Sequence, residues 1–560
     1  LSKTTSTTIR ARLNRFPSFL VITHNRNPTN LLMPRIVLSL ICLLLSIGLL
    51  EAQSLPSAFP AKPTPPLYTD LKAALKQPAQ VERLSLADFS VLPASIGKFT
   101  HLKELDLTGC HLNELPAELA RLKQLEIIDL TGNGFSRFPQ QLLGLPRLHT
   151  LILTGNQLSA LPAELTQLSQ LRRLHLVDNQ LTEIPPALRQ SATLTDLQVR
   201  GNPIPGLLLS SEELSICPVY TSLEEALQNK EKVYRLRLAG QGQWPIGLEA
   251  LPNLQELVLN SNGLSAIPAE VGQLRQLQHL QLLENQLTHL PKEIGQLSNL
   301  KQLHLGLNQL QTLPEEIGQL SQLESLSLPG NQLSSLPASL GQLKELKELV
   351  VMENRLTSLP TSIGGLTRLE RLYASRNTLA SLPEELTGLT RLKELKLFGN
   401  ALEELPSLQG LTSLQNLDLQ NNSLTFLPET FGELPVLRTL GLGGNGLTSL
   451  PTSIGKLSSL EQLDLEGNAL TQLPKEIGAL KNLKGLQLYG NSLSTLPTQL
   501  SELENLTSLD VWNNPITSFP AELGKLKKLE VFNFQPEGLS SQARDWLRTQ
   551  LGGTLVKPSF

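Results

Sequence analysis

The sequence predicts an α/β solenoid, a coil of stacked and near-identical turns that each carry one short strand and that are closed off by helical caps. Three observations lead there. Of 560 residues 40% are apolar but only 4% aromatic, so the core must be aliphatic and overwhelmingly leucine. Leucines recur on a 23-residue period over most of the chain, and a repeat of that length is one unit that cannot bury its apolar face alone and must stack on its neighbours. Two segments with helical spacing also stand where such a coil would expose a raw apolar end.

At the N-terminal side, residues 1–32 open on Leu1 and contain no acidic residue. They are read as an upstream extension, either outside the translated frame or a basic transit peptide. Met33-Pro34-Arg35, the apolar run Ile36 to Leu50 and Glu51-Ala52-Gln53 have the basic start, apolar centre and small residue before a cut of a signal peptide over 33–52. The run is 15 residues long and broken by Ser39, Ser46 and Gly48, short of the roughly 20 needed to cross a bilayer. No integral membrane span is therefore expected. Cys42 lies inside the run rather than at a small-residue boundary, which argues against a lipid anchor. Residues 53–67 form a Pro-rich linker, extended from Pro56 to Pro66.

One unit shows the physics of the repeat: Leu277, Leu280, Leu282, Asn285, Leu287, Leu290, Pro291, Ile294, Gly295 and Leu297, with the next opening at Leu300, 23 residues on. Leu280 and Leu282 alternate with polar neighbours, the period of a short strand pointing both inward. Asn285 ends the strand, and its amide can satisfy backbone groups of the tight turn when stacked on Asn262 and Asn308. Leu287, Leu290, Ile294 and Leu297 fill the interior. Pro291 fixes φ where the chain crosses the outer side, and Gly295 permits the sharp return. The asparagine ladder reads Asn133, Asn156, Asn179 and Asn202 in an earlier stretch, with Cys110 in its first place as a small buried substitute rather than a reactive thiol. It resumes as Asn262, Asn285, Asn308, Asn331, Asn354, Asn377, Asn400, Asn422, Asn445, Asn468, Asn491 and Asn514. Twelve consecutive units run from Leu254 to Lys528, and the one holding Pro406-Ser407-Leu408 has 22 residues.

This pattern resembles the leucine-rich-repeat family, specifically the 23-residue "LPxxIGxL" type of bacterial proteins and plant intracellular Ras-group proteins. The resemblance covers nearly all of the chain beyond the linker. It implies a horseshoe with short parallel strands on the concave face, irregular or 3-10 turns on the convex face, and binding of another macromolecule across the concave face. The caps lack the cysteine clusters usual in eukaryotic receptor ectodomains, so an exported bacterial protein, secreted, periplasmic or envelope-associated, fits better. If the leader is unused, the alternative is a cytoplasmic signalling scaffold of the Ras-group kind.

A second, longer period divides the solenoid. Tyr68-Thr69-Asp70-Leu71 leads to Val81-Glu82-Arg83-Leu84 as Tyr220-Thr221-Ser222-Leu223 leads to Val233-Tyr234-Arg235-Leu236, Tyr preceding Val by 13 residues in both. Leu71, Ala74 and Leu75, like Leu223, Ala226 and Leu227, are at helical spacing, which makes each segment an N-terminal cap. Two blocks result, 68–219 with its linker and 220–550. Pro203 to Pro218 breaks the period and is a joint or an ordered loop. After Leu529 the pattern fails. Ser540 to Gln550 reads as a capping helix with Trp546 and Leu547 among its apolar residues, and 551–560 as a loose tail.

A ligand would sit on the residues flanking the strand leucines. Between those leucines lie Asp106, Asp129, Ile152, His175 and Gln198, then Val258, Gln281, His304, Ser327, Val350, Tyr373, Lys396, Asp418, Gly441, Asp464, Gln487 and Asp510. The column after the second leucine adds Leu283, Met352, Phe398, Glu466, Tyr489 and Trp512. Val350, Met352, Tyr373 and Phe398 come from adjacent units, flanked by Arg371, Arg376 and Lys396. An exposed apolar patch rimmed by charge marks an interface, and Tyr, Trp and Arg enrich hot spots. These seven residues with Tyr489 and Trp512 form the expected partner-binding set. The competing reading is that they only pack against one another across neighbouring strands.

Other functions are disfavoured. Net charge is −3 with both signs interleaved, no footprint for a nucleic-acid backbone. Cys110 and Cys217 fall roughly four repeats apart, about 20 Å at strand spacing, beyond disulfide reach. His279 with His304, and His149 with His175, have no further ligand to complete a tetrahedral metal set. There is no G-x-x-x-x-G-K-[ST] and no nucleophile with its base in a non-repeat domain. The expectation is a binding protein without enzymatic activity, metal or cofactor. Its partner is a protein, with surface glycans or host components as the alternative for an adhesin.

Overall fold

A computed structural model describes residues 65–189, 191, 193–204, 207–550 and 555–556. The upstream extension, the signal peptide over 33–52 and nearly all of the 53–67 linker lie outside the described residues.

Each coil begins with a three-residue strand. Leu280, at the centre of His279–Gln281, is in register with Leu257 on one side and Leu303 on the other, and the three are fully buried. Among the described residues the strands form two parallel sheets in chain order, one of seven strands from Leu67–Tyr68 to Asp196–Gln198 and one of sixteen from Val219–Tyr220 to Leu555–Val556. Behind each sheet lies its own continuous apolar core. The opposite side of most coils is a five-residue 3-10 turn such as Lys292–Gln296. Strands hydrogen-bonded about 4.8 Å apart are drawn closer than the bulkier turns behind them, which puts the strands on the concave face.

The ladder asparagines join one coil to the next. Asn285 Nδ2 donates to Leu282 O at 3.0 Å in its own coil and to Leu259 O at 2.9 Å in the preceding one, while its Oδ1 accepts from Leu264 N at 3.0 Å. Cys110 holds the first place by donating its Sγ proton to Leu86 O at 3.1 Å. In the 22-residue unit the ladder is intact, with Leu402 N donating to Asn422 Oδ1 at 3.1 Å. No 3-10 turn lies between Glu394–Lys396 and Asn416–Asp418 among the described residues. The deletion is absorbed on the convex side.

Proline enters where expected: Pro291, at φ −70°, precedes the Lys292–Gln296 turn. Glycine has a different role from the one expected. Gly295 has no positive φ; its missing side chain is required because a Cβ would lie 2.5 Å from the Glu316 carbonyl of the next coil. It serves the stacking of turns rather than the return of its own chain.

The cap segments form short helices, Leu71–Ala74 capped by Asp70 and Leu223–Gln228 capped by Ser222. Ala74 and Ala226 are fully buried, whereas Leu227 stays exposed. Ahead of each helix a two-residue strand, Leu67–Tyr68 or Val219–Tyr220, adds in parallel to the first full strand. At the far end Ser541–Gln550 is helical, and Ala543 and Leu547 join the core. Within the segment expected as a loose tail, the described residues Leu555–Val556 pair with Val531 and Phe532, covering backbone groups that the last full strand would otherwise leave open. Pro203 to Pro218 contains a helix, Ser211–Ser215, with a complete capping box between Ser210 and Glu213.

The stacking role of glycine gives a paired test. In Gly318→Ala the new methyl would sit 2.5 Å from Ser339 O, whereas in Gly144→Ala the nearest atom is Ala120 Cβ at 3.5 Å. Urea unfolding should show Gly318→Ala destabilised by about 1–3 kcal/mol through overpacking. Gly144→Ala should be neutral or stabilised by up to about 1 kcal/mol. Equal effects would refute the stacking account.

Candidate protein-interaction face

Strand register builds the face directly. Val258, Gln281, His304, Ser327, Val350, Tyr373, Lys396, Asp418, Gly441, Asp464, Gln487 and Asp510 are successive partners in one unbroken column. One flank carries charges of alternating sign that pair across strands: Lys347 with Glu324 at 2.7 Å, Lys393 with Glu370 at 2.8 Å, and Glu461 with Lys484 at 2.6 Å and Arg438 at 3.0 Å. Sequence reasoning missed this ladder, although its signal, opposite charges at the repeat spacing, was present. Exposed pairs of this kind add little to stability, because water screens them and holding two long side chains costs entropy. Their larger effect is to neutralise that flank.

The cluster from Val350 to Phe398 is brought together, but not as an exposed apolar patch. Val350 is 5% and Tyr373 6% exposed, because side chains on strands about 4.8 Å apart close over one another. The Tyr373 hydroxyl donates to Glu394 Oε2 at 2.7 Å. Burial, reinforced by that carboxylate, pushes its phenol pKa up. Lys396 Nζ sits 4.7 Å from the Tyr373 ring centre, and Arg371 Nε pairs with Glu348 at 3.0 Å. Arg376, in left-handed backbone at φ 56°, pairs with Glu353 at 2.9 Å and covers the Phe398 ring at 5.8 Å. Cations therefore roof the aromatic rings. Met352 and Phe398 remain half-buried.

Tyr489 and Trp512 stand apart from that cluster. In their column Gln420, Gly443 and Glu466 separate Tyr489 from Phe398. Tyr489 is 42% exposed and Trp512 half-buried. The stretch between is acidic. Burial pushes the carboxyls of Asp418 and Asp464 up, and burial with repulsion from Asp464 and Asp510 does the same for Glu466. Gly441 and Gly443 let neighbouring side chains close over them: a Cβ on Gly441 would lie 2.8 Å from Gln420 Nε2, and one on Gly443 3.2 Å from Asp464 Oδ1. The aspartates were legible as column members, but their burial was not.

The histidines of each pair are not register partners across strands. His279 faces Gln302, and His304 faces Gln281; burial lowers the pKa of both, favouring neutral rings. His175 Nε2 contacts Asp196 Oδ2 at 2.8 Å. Among the described residues no group of three or more His, Cys, Asp or Glu could hold a metal ion, and no helix is long and apolar enough to cross a membrane.

A family model described as a leucine-rich repeat region matches residues 90–204, 304–404 and 396–556. The chain belongs to the leucine-rich-repeat family. It is 31% identical to a leucine-rich-repeat protein of Leptospira interrogans, over 88% of this chain and 100% of that one, with a TM-score of 0.46. It is 27% identical to the Arabidopsis receptor kinase HAESA, solved with the peptide hormone IDA and the co-receptor SERK1, over 82% of this chain and 79% of that one, with a TM-score of 0.48. An internalin of Listeria monocytogenes is 25% identical over 56% of this chain and 84% of its own, with a TM-score of 0.44. No curated protein sequence matches the chain.

The raised carboxyls make a prediction about pH. A carboxyl whose folded pKa exceeds its unfolded value costs the fold stability while it is ionised, and the cost fades as pH falls through the raised value. Asp464→Asn, which keeps an oxygen to accept the bond that Glu466 N donates at 3.0 Å, should raise the thermal midpoint at neutral pH. The gain should shrink near about pH 4, the range of ordinary carboxyls. A midpoint at neutral pH equal to or below that of the parent chain would contradict the assignment.

Proposed function

We propose that this leucine-rich-repeat chain, of the 23-residue type, is a non-enzymatic binding module whose concave face recognises a protein partner. One observation carries the reading. The strand leucines and ladder asparagines repeat almost unchanged from coil to coil. The column between the leucines changes chemistry at nearly every step, from Val350 to Tyr373, Lys396, Asp418 and Gly441. Variety confined to one face of a regular scaffold is what a binding surface needs and what the fold itself does not. Two areas of the face supply anchors: Met352, Phe398 and the cations Arg371, Arg376 and Lys396, and then Tyr489 with Trp512. Val350 and Tyr373 support the first area from beneath. The raised carboxyls between the areas fit a surface kept for recognition at some cost to stability.

Export from a bacterial cell accompanies this reading and rests on the 33–52 leader. We read the chain as two capped blocks, 68–219 and 220–550, that both present concave strands.

The full chain, used to capture its partner, gives the test. Phe398→Ala and the pair Tyr489→Ala with Trp512→Ala remove anchors without touching the leucine core. Each should weaken the captured partner roughly 30-fold or more, the effect of a hot spot of about 2 kcal/mol, at an unchanged melting temperature. Full affinity in both would sink the proposal. Sequencing the mature N-terminus tests export separately, with Gln53 as the expected first residue and a retained leader as the contrary result.

A further inference from the structure

Among the described residues the first sheet ends at Asp196–Gln198 with no following strand, so its last coil should carry orphaned backbone donors. Beyond the strand ladder itself, two further N–H groups per coil reach forward in the regular part of that sheet. One series runs Leu107 to Asp129 O, Leu130 to Ile152 O, Leu153 to His175 O and Leu176 to Gln198 O; the other runs Gly109 to Thr131 O, Gly132 to Thr154 O, Gly155 to Val177 O and Asp178 to Arg200 O. The next donors in the two series are Val199 and Gly201. Val199 N donates to Glu213 Oε1 at 3.2 Å, and Gly201 N donates to the Tyr234 hydroxyl at 3.1 Å. Side chains stand in for the carbonyls of a coil that does not exist. Glu213 belongs to the Ser211–Ser215 helix and is buried, its other oxygen accepting from Ser210 N at 3.1 Å. Tyr234 belongs to the first coil of the second sheet and is 3% exposed.

The second sheet grips the same segment from its other side. Gln255 and Gln278 hold the flank positions that further along are Lys301, Glu324 and Lys347, yet they are 0% and 1% exposed. Gln255 Nε2 donates to Leu207 O at 2.6 Å, and Leu209 N donates back to Gln255 Oε1 at 2.9 Å. Gln278 Nε2 donates to Leu209 O at 2.9 Å and to Gln255 Oε1 at 2.7 Å. Leu209, Leu214, Cys217 and Tyr234 close over one another as a small separate apolar cluster. Arg235, paired with Glu256, donates to Ser215 O at 2.8 Å.

We infer that residues 207–217, with Tyr234, Gln255 and Gln278, are a surrogate coil that locks the two sheets into one cooperative unit with a fixed relation between their concave strands. Stability in a repeat array is set by nearest-neighbour interfaces, and a junction with orphaned donors would be its weakest link. Here the N–H groups of Val199 and Gly201 and the backbone of Leu207 and Leu209 are satisfied across the junction, so unfolding passes through it instead of stopping there.

All three tryptophans, Trp244, Trp512 and Trp546, follow residue 220, so tryptophan fluorescence reports the second sheet alone, while far-UV circular dichroism reports both. Leu151→Ala removes a fully buried side chain of the first sheet, with the milder Ile128→Val as a second variant if the first does not fold. In the full chain either substitution should lower the urea midpoint seen by fluorescence together with that seen by circular dichroism. Combined with Tyr234→Phe and Gln278→Met, which remove the hydrogen bonds of these two side chains to Gly201, Leu209 and Gln255 but keep size, the same substitution should move only the circular-dichroism signal and leave the fluorescence midpoint in place. A fluorescence midpoint that ignores Leu151→Ala and Ile128→Val in the full chain would overturn cooperative locking. Coupling that survives Tyr234→Phe with Gln278→Met would overturn the assignment to these side chains.

Discussion

Everything in this molecule depends on how a chain that turns sharply once per coil keeps its backbone polar groups satisfied. The asparagine ladder answers that constraint. Each amide donates to two carbonyls, one in its own coil and one in the coil before, and accepts from an N–H of the preceding turn, as Asn308 does with Leu305 O, Leu282 O and Leu287 N. A neutral hydrogen bond contributes only about 0.5–1.5 kcal/mol net, but an orphaned buried partner costs about 1–3 kcal/mol. A missing ladder residue would orphan several groups in two coils at once. The ladder is thus less a source of stability than the condition for bending the chain at all. Where Cys110 replaces asparagine at the first step, the thiol still donates to the carbonyl behind it.

Once the bend is secured on the inside, the remaining positions divide by what touches them. Leucines between coils cannot change without opening a cavity, and outer glycines such as Gly295 and Gly318 cannot gain a Cβ without striking the next turn. Concave side chains meet only their neighbours across strands, which leaves them free to differ. The 22-residue unit shows the same division from another direction, since its lost residue removes a convex turn and leaves strand and ladder in step. The charge pairs along the flank and the cation-covered rings of Tyr373 and Phe398 are the local settlements that free face adopts.

Much of this was legible in the sequence because it repeats. The fold class, the strand leucines, the proline before most outer turns and the cap helices all follow from spacing combined with side-chain chemistry. What was not legible depends on distances between coils. Val350 and Tyr373 look like an apolar patch in a linear reading, and only the close strand spacing shows both buried, with Tyr373 covered by Lys396 and tied to Glu394. Gly295 reads as a turn residue until the Glu316 carbonyl of the following coil is placed against it. The surrogate coil was least accessible of all: Leu209 and Gln278 are 69 residues apart, and nothing periodic links them. Within the candidate face the membership of each column could be read, whereas exposure and ionisation of its members could not.

The proposed partner docks on the strand side of the coil and not on the turns behind it. Site-specific photocrosslinking compares the two sides within one chain. A photoreactive phenylalanine analogue in place of Phe398 lies on the concave face, and in place of Phe426, which is 52% exposed, it lies outside the strands on the path from Asn422 to the outer turn at Glu429–Glu433. Introduced into the full chain in its native surroundings, the first should yield a specific protein adduct and the second none. Adducts from position 426 alone, or from neither position while the partner is bound, would contradict the account.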